Sequence, residues 1–344
     1  MKTTVIKLLK KVIEQLQAAL LPLCSKSAIL SGLYFTFFSR DFFYEHQAIL
    51  KARLAYKRQQ GMHGKSSALL RRNIHRLEKG LIMQPRRSIY ALDYISETIA
   101  AYRVALSNSE VDQSELQWAS DVITEYFSVV DKNNPVINES FLAFNQLSTL
   151  CSTSKKPYSY HQKAPHKVEY EDFLALTKFR TSVRWFQSKS VEIEKIKKAI
   201  DAALQAPSAC NRQPFQFYSI SSQPLLKKLA NLPGGTAGFA DNIPHLIAVV
   251  GDLSYYPLSR DRHVIYIDSS LASMQFMLAL ETLGLSSCPI NWPELINQDK
   301  TVASLLNLPQ YKRVVMFIAV GYPSNSGMIP YSDKKQAKDI LKHV

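Results

Sequence analysis

Only four of the 344 residues are cysteines, Cys24, Cys151, Cys210 and Cys288, and no two of them form a C-x-x-C pair. That scatter excludes a zinc-cluster module and a disulfide framework, and it fits thiols kept reduced in a reducing, cytoplasmic compartment. The first 21 residues lack a continuous apolar core and a small-residue cleavage site, so no secretory leader is expected. The longest apolar stretch, 28–38, is interrupted by Ser31, Gly32 and Thr36 and falls short of the ~20 residues that cross a bilayer. No internal repeat, helix-turn-helix or zinc signature is visible, so no nucleic-acid partner is expected. Apolar residues make up 46% of the chain, which excludes a disordered protein, and the length allows two domains of ~100–200 residues each.

What is present in excess is positive charge, and it is unevenly placed. Residues 1–100 carry 17 Lys and Arg against 6 Asp and Glu, whereas residues 101–344 carry 25 against 22. The basic part either meets an anionic surface or is simply a solvated face. Val5, Leu8, Leu9, Val12, Ile13, Leu16 and Leu20 recur at helical spacing with Lys7, Lys10, Lys11 and Glu14 between them, and Pro22 should end that helix. An amphipathic helix of this kind can lie on the anionic inner face of a membrane. It can equally pack on other helices, which Glu14 and Ala19 suit.

Helical spacing continues at 42–59, 66–79, 87–106 and 114–130, with Gly80 where a C-terminal helix glycine would stand. Residues 1–151 therefore read as an all-α basic region. Residues 152–167, polar and with two prolines, read as a linker. From 168 to 344 the texture changes. Helices are expected at 170–178 and 191–205, the second capped by Ser190, and buried strands at 215–221, 245–251 and 313–321. Residues 267–283 are apolar on nearly every side and predict a central buried helix. Helices alternating with strands give an α+β domain.

Three stretches carry chemistry. In Arg180-Thr181-Ser182-Val183-Arg184, an extended chain would put Arg180, Ser182 and Arg184 on one face, two guanidinium groups and a hydroxyl suited to an anionic ligand. Residues 206–215 (APSACNRQPF) join a helix to a strand. Residues 283–292 (LGLSSCPINW) follow the buried helix as a loop that could offer backbone amides to a flat ligand. Other signals are weaker. His75 and Glu78 lie three apart with no second pair to complete a metal site, so intrahelical ion pairing is expected. Gly234-Gly235-Thr236-Ala237-Gly238 does not directly follow a strand and is not a dinucleotide fingerprint.

Together the three stretches resemble the nitroreductase family, with its R-x-S-x-R-like opening, its P-S-x-x-N-x-Q-P element and its late L-G-L-x-S-x-P-I loop. Gly321-Tyr322-Pro323 fits the same pattern. The resemblance covers the C-terminal half. It implies a mixed sheet flanked by helices, one FMN per subunit at a homodimer interface, and NADH or NADPH reducing a small-molecule acceptor by a ping-pong hydride mechanism. No protein acid, base, nucleophile or metal is then needed, because the cofactor carries the chemistry. Arg180 and Ser182, with Thr181 between them, match phosphate-binding positions, and Arg184 matches a basic residue at the pyrimidine edge of the ring. Pro207, Ser208, Ala209 and Asn211, with Gln213, match residues reaching the flavin from the other subunit. Pro289, Ile290 and Asn291 match the loop over the ring, with the Asn291 N–H aimed at flavin N5, and Lys334 or Lys335 matches a further phosphate contact. Tyr255, Tyr256, Asp261, Arg262 and His263 fall where the family places substrate contacts, and equally read as ordinary surface. Asn291-Trp292 replaces the usual glycine-containing pair, so Trp292 is expected to narrow the substrate space, and Phe215 replaces a tryptophan. Specialised alternatives are reductive dehalogenation and flavin breakdown. A different class is a non-enzymatic, membrane-associated accessory flavoprotein.

Overall fold

The structure is a computed structural model that describes residues 2–39, 41–147 and 150–344, with side chains described for these except residues 2–11 and 14. Helix α1 (Lys2–Cys24) runs two residues past Pro22 rather than stopping there. Proline forfeits one backbone donor, but its fixed φ is helical, so the turn it sits in can finish. The side chains of Val5, Leu8, Leu9 and Glu14 lie outside the described set, while Val12, Ile13 and Leu16 are exposed. Helix α2 (Ala28–Phe37) takes up the interrupted apolar run; the Ser27 side chain accepts from the Ile29 N–H to start it, and none of its residues is buried.

Helix α3 (Phe43–Gln59) leads into a minimal hairpin, β1 (Met62–His63) and β2 (Ser66–Ser67), that the all-α reading did not contain. Ser67 then caps α4 (Ala68–Leu81) by accepting from the Leu70 N–H. Gly80 does not end this helix as expected. It lies inside it, where an added Cβ would sit 2.0 Å from the Tyr90 ring. Close approach of Tyr90, and not a left-handed turn, is what demands glycine there. Helix α5 (Ile95–Leu106) begins eight residues later than its periodicity predicts, because Ala91 adopts a left-handed φ of 65° that no helix can run through. Helices α6 (Gln113–Val129) and α7 (Pro135–Asn145) start at the acceptor side chains of Asp112 and Asn134. The inward faces of α4 to α7 close on Leu70, Ile74, Ile95, Tyr102, Ile123 and Tyr126, a helical core of its own.

Residues 152–167 are irregular apart from a 3₁₀ turn at Tyr160–Gln162. Thereafter come α8 (Tyr170–Phe179), α9 (Ile193–Ala203), β3 (Phe215–Ile220), α10 (Gln223–Ala230), β4 (His245–Asp252), α11 (Val264–Thr282), β5 (Ser286–Asn291), α12 (Ile296–Leu305), β6 (Lys312–Gly321) and α13 (Ala337–Ile340). Helix α9 starts at Glu192, and Ser190 stands outside it rather than capping it. The strands form one antiparallel sheet in the order β3-β4-β6-β5, with a single parallel bridge, Ser182↔Ser287, added at the β5 edge.

Every residue of β4 is buried, as befits an inner strand covered on both faces. Helix α11 covers the sheet with Ala272, Phe276 and Leu280. It is not buried all round, however: Ile267, Leu271 and Met274 form a stripe exposed at 57%, 43% and 39%. Helix α3 docks on this half of the molecule, with Ala48, Ile49 and Ala52 packed against Leu253, Tyr256 and Ile265.

Candidate active site

The segment after α8 is extended, as its alternation predicts, and it lies beside β5. Ser182 bridges Ser287, and the Val183 N–H donates to the Ser287 carbonyl at 3.0 Å. The first and third stretches are thereby brought together. The third is a strand and not the expected loop. Pro289 hid it, because proline is tolerated in a sheet only where no ladder donor is required. In an antiparallel strand both backbone groups of a residue point to the same side, alternating along the chain. Since the Ser287 carbonyl faces outward, Pro289 and Asn291 face outward too. Pro289 thus sits where its missing N–H costs nothing, and the Asn291 N–H points to the open edge.

The edge is electropositive. Neither Arg180 nor Arg184 has a carboxylate within 4.0 Å among the described residues. Arg184 leans on the Phe239 ring at 5.9 Å. Three details were not legible in the sequence. The Ser287 Oγ is buried with no partner. Burial pushes the Cys288 thiol up despite Arg184, Ser182 and Arg180 beside it. Burial also pushes the Glu281 carboxyl up to about 7, against a Ser286 hydrogen bond and the charge of Arg180. A buried hydroxyl without a partner among the described residues, two guanidinium groups without a paired carboxylate there, of which Arg184 also donates to the Ser182 carbonyl at 3.4 Å, and an outward N–H suit a phosphorylated, hydrogen-bonding planar ligand. Lys334 and Lys335 are exposed on the C-terminal tail, with no side-chain hydrogen bond or ion pair to this cluster among the described residues.

The second stretch is built differently. Cys210, Asn211 and Gln213 have φ of 54°, 50° and 51°. A left-handed φ costs a non-glycine residue on the order of 1–3 kcal/mol and persists only where surroundings enforce it. Here Ser208 Oγ accepts from the Gln213 N–H at 3.1 Å, the Asp268 carboxylate accepts from the Ala209 N–H at 3.0 Å, and Gln213 Nε2 donates to Asn211 Oδ1 at 3.1 Å. The Asn211 carbonyl accepts from Arg71 Nε of α4 at 2.7 Å. Arg71 carried no sequence signal that separates it from its neighbour Arg72.

These two assemblies do not meet within one chain. The loop precedes β3 and lies at the opposite edge of the sheet from β5, three strand spacings or ~14 Å away. It also lies at the opposite end: Phe215 is level with Arg313 of β6, and Ser287 with Val320, seven residues or ~23 Å along the strand. The stretches occupy diagonal corners.

One further expectation is corrected. Trp292 does not crowd the open edge; it is buried, donates its indole N–H to Asp299 at 2.9 Å and packs edge-on against Phe317. Within the 255–263 segment three side chains are engaged, while His263 is exposed. Tyr256 is buried under α3, Tyr255 stacks on His63 at 4.2 Å, and Arg262 pairs with Glu45 at 3.8 Å.

An antiparallel four-stranded sheet under a long central helix, with an electropositive edge, makes residues 168–344 an α+β domain. Residues 177–322 match the family model described as the nitroreductase family, and that segment of the chain belongs to it. A "Putative NADH dehydrogenase/NAD(P)H nitroreductase" of Methanothermobacter thermautotrophicus is 29% identical over 161 residues, 46% of this chain and 82% of that protein. Iodotyrosine deiodinase 1 of Mus musculus is 22% identical over 219 residues, 55% of this chain and 75% of that protein. Among solved structures, an FMN-dependent nitroreductase from Clostridium difficile R20291 is 26% identical with a TM-score of 0.43, covering 49% of this chain and 98% of that one.

Proposed function

We propose that the protein is an FMN-dependent NAD(P)H oxidoreductase that works as a twofold homodimer, each flavin site being assembled from the β5 edge of one subunit and the 207–213 loop of the other. The observation that carries the reading is the diagonal separation of the two assemblies. A second copy related by a twofold axis is the arrangement that would unite them, twice over. The exposed stripe of α11 supports it, as do Met328 and Tyr331 on the C-terminal tail, exposed at 85% and 91%, since apolar groups of this size call for a partner surface. The tail would also carry Lys334 and Lys335 toward the partner's phosphate site.

When bound, FMN supplies the hydride chemistry. Arg180 and Ser182 hold its phosphate, Arg184 stabilises negative charge at the pyrimidine edge, and the Asn291 N–H fixes the ring from the open side of β5. Asn211, whose Oδ1 is already engaged by Gln213, offers its amide protons to the partner's flavin. The acceptor is a small organic molecule reduced in the second half-reaction. Reconstitution with excess FMN followed by sedimentation tests the reading: a yellow dimer with one flavin per subunit and NAD(P)H turnover is expected. A monomer that reduces its flavin, or a protein that takes up none, overturns it.

A specific feature favours a second role for the N-terminus. In α2, Ile29 and Phe37 are 76% and 74% exposed, and Phe38, Phe42 and Phe43 continue the apolar surface beyond it. Residues 1–40 carry six Lys or Arg against one Glu. No helix is long and apolar enough to cross a membrane among the described residues. The pair α1–α2 is instead suited to lie in the interface of an anionic bilayer. Flotation with phosphatidylserine vesicles tests this: binding lost at high salt and in Phe37→Glu is expected, and full-length protein that stays unbound at low salt refutes it.

A further inference from the structure

We infer that Arg71, in the N-terminal helical region, is a positioning residue of the flavin site: it clamps the 207–213 loop in the conformation that presents Asn211 and Ser208. The inference rests on the reading of that loop as cofactor-binding.

The loop needs holding. Three of its residues stand in the left-handed region, and none is glycine. Two of its braces come from its own half of the molecule, Ser208 to the Gln213 N–H and Asp268 to the Ala209 N–H. Neither touches Asn211 at the loop's apex. Within the loop Asn211 donates its N–H to the Ser208 carbonyl at 2.9 Å and accepts at Oδ1 from Gln213 Nε2 at 3.1 Å, so that its one brace from outside the loop must come from elsewhere. The apex is held by Arg71, whose Nε donates to the Asn211 carbonyl at 2.7 Å across 140 residues of sequence. Among the described residues this is the single hydrogen bond from residues 1–151 to the loop.

Arg71 is itself fixed. Its Nη1 donates to Glu115 Oε2 at 2.9 Å, and its guanidinium lies over the Trp118 ring at 5.3 Å. The Glu115 side chain is only 4% exposed, and it accepts from Ser66 Oγ at 2.7 Å and from the Ser67 N–H at 2.8 Å. Ser67 is the residue that caps α4. The short β1–β2 hairpin, the start of α6 and the start of α4 therefore converge on one guanidinium, and its Nε–H reaches the loop. A planar fork with donors in two directions is what the geometry uses; a lysine carries its donors on one atom and cannot span both acceptors equally. The helical region is thus part of the oxidoreductase site and not only an appendage to it.

The test is FMN affinity of the full chain, read by quenching of flavin fluorescence, with helicity followed by circular dichroism. Arg71→Ala is expected to raise the FMN dissociation constant about tenfold, the scale of one lost charge-assisted hydrogen bond. Arg71→Lys should recover only part of the loss, and Glu115→Gln should weaken binding in the same direction by less. Arg76→Ala removes a guanidinium on the same helix that pairs with Asp93 at 3.1 Å and does not touch the loop, so it should bind FMN as the parent does. Parental affinity in Arg71→Ala, or an equal loss in Arg76→Ala, overturns the clamp while leaving the cofactor reading intact. If Arg71→Ala fails to fold, parental affinity in both Arg71→Lys and Glu115→Gln overturns it. A parent protein that binds no FMN removes the cofactor reading, and the clamp with it.

Discussion

At the β5 edge of the sheet the polypeptide leaves groups open: among the described residues two arginines have no carboxylate within 4.0 Å and a buried Ser287 hydroxyl has no partner, and the Asn291 N–H points outward. At the β3 edge, the 207–213 loop is the braced one, although Arg212 Nε is buried with no partner among the described residues. It is strained and tied by Ser208, Asp268 and Arg71. One edge is shaped to receive a ligand, the other to present a rigid surface. The difference teaches that the chain invests its bracing in the half that, in the proposed dimer, would reach outward to a second copy.

The comparison can be broken most severely at the proposed dimer contact. Ile267→Asp with Leu271→Asp, on the exposed stripe of α11, should yield monomers by sedimentation and abolish flavin retention, although neither residue belongs to either edge. Next in size, Arg180→Ala should weaken FMN binding by roughly 1.5–3 kcal/mol in a fluorescence titration, the worth of a charge-assisted contact.

Glu281 sharpens the picture of the receiving edge. Its folded carboxyl titrates near 7 against an ordinary value of 4.5, so the fold favours the protonated form. That contribution is fully present below about pH 4.5 and is lost as pH rises through 7. Glu281→Gln should therefore raise the melting temperature of flavin-free protein at pH 8, by the equivalent of ~1–2 kcal/mol after screening, and give no advantage at pH 4. The smallest effect is expected at Trp292→Phe. Loss of the indole donor to buried Asp299 should cost about 1 kcal/mol in urea unfolding and leave the acceptor range unchanged.

Much of the fold was legible where one physical signal dominated. The alternation at Arg180, Ser182 and Arg184 gave an extended segment, and the apolar runs of β3, β4 and β6 gave strands within a residue or two. Strand β5 was missed because Pro289 reads as a breaker, and only tertiary pairing shows that its face of the strand needs no donor. The open side of α11 was hidden because periodicity distinguishes apolar from polar and not covered from uncovered. Arg71 was invisible for a different reason: its partner is a backbone carbonyl 140 residues away, and a main-chain acceptor leaves no trace in residue identity. Trp292 misled because its identity suggested bulk at the ligand, whereas its indole N–H required the buried Asp299.

The shared site is tested most directly by subunit complementation. Arg180→Ala damages the receiving edge and Asn211→Ala the presenting loop, so each variant alone forms dimers in which both sites are defective. Unfolded together and refolded at equal amounts, half of the dimers should be mixed, each with one intact site and one doubly damaged site. The account predicts that the mixture regains tight FMN binding and NAD(P)H turnover at about a quarter of the parental site number. A mixture that shows no more than the average of the two variants, with mixed dimers verified by tagged pull-down, would contradict it.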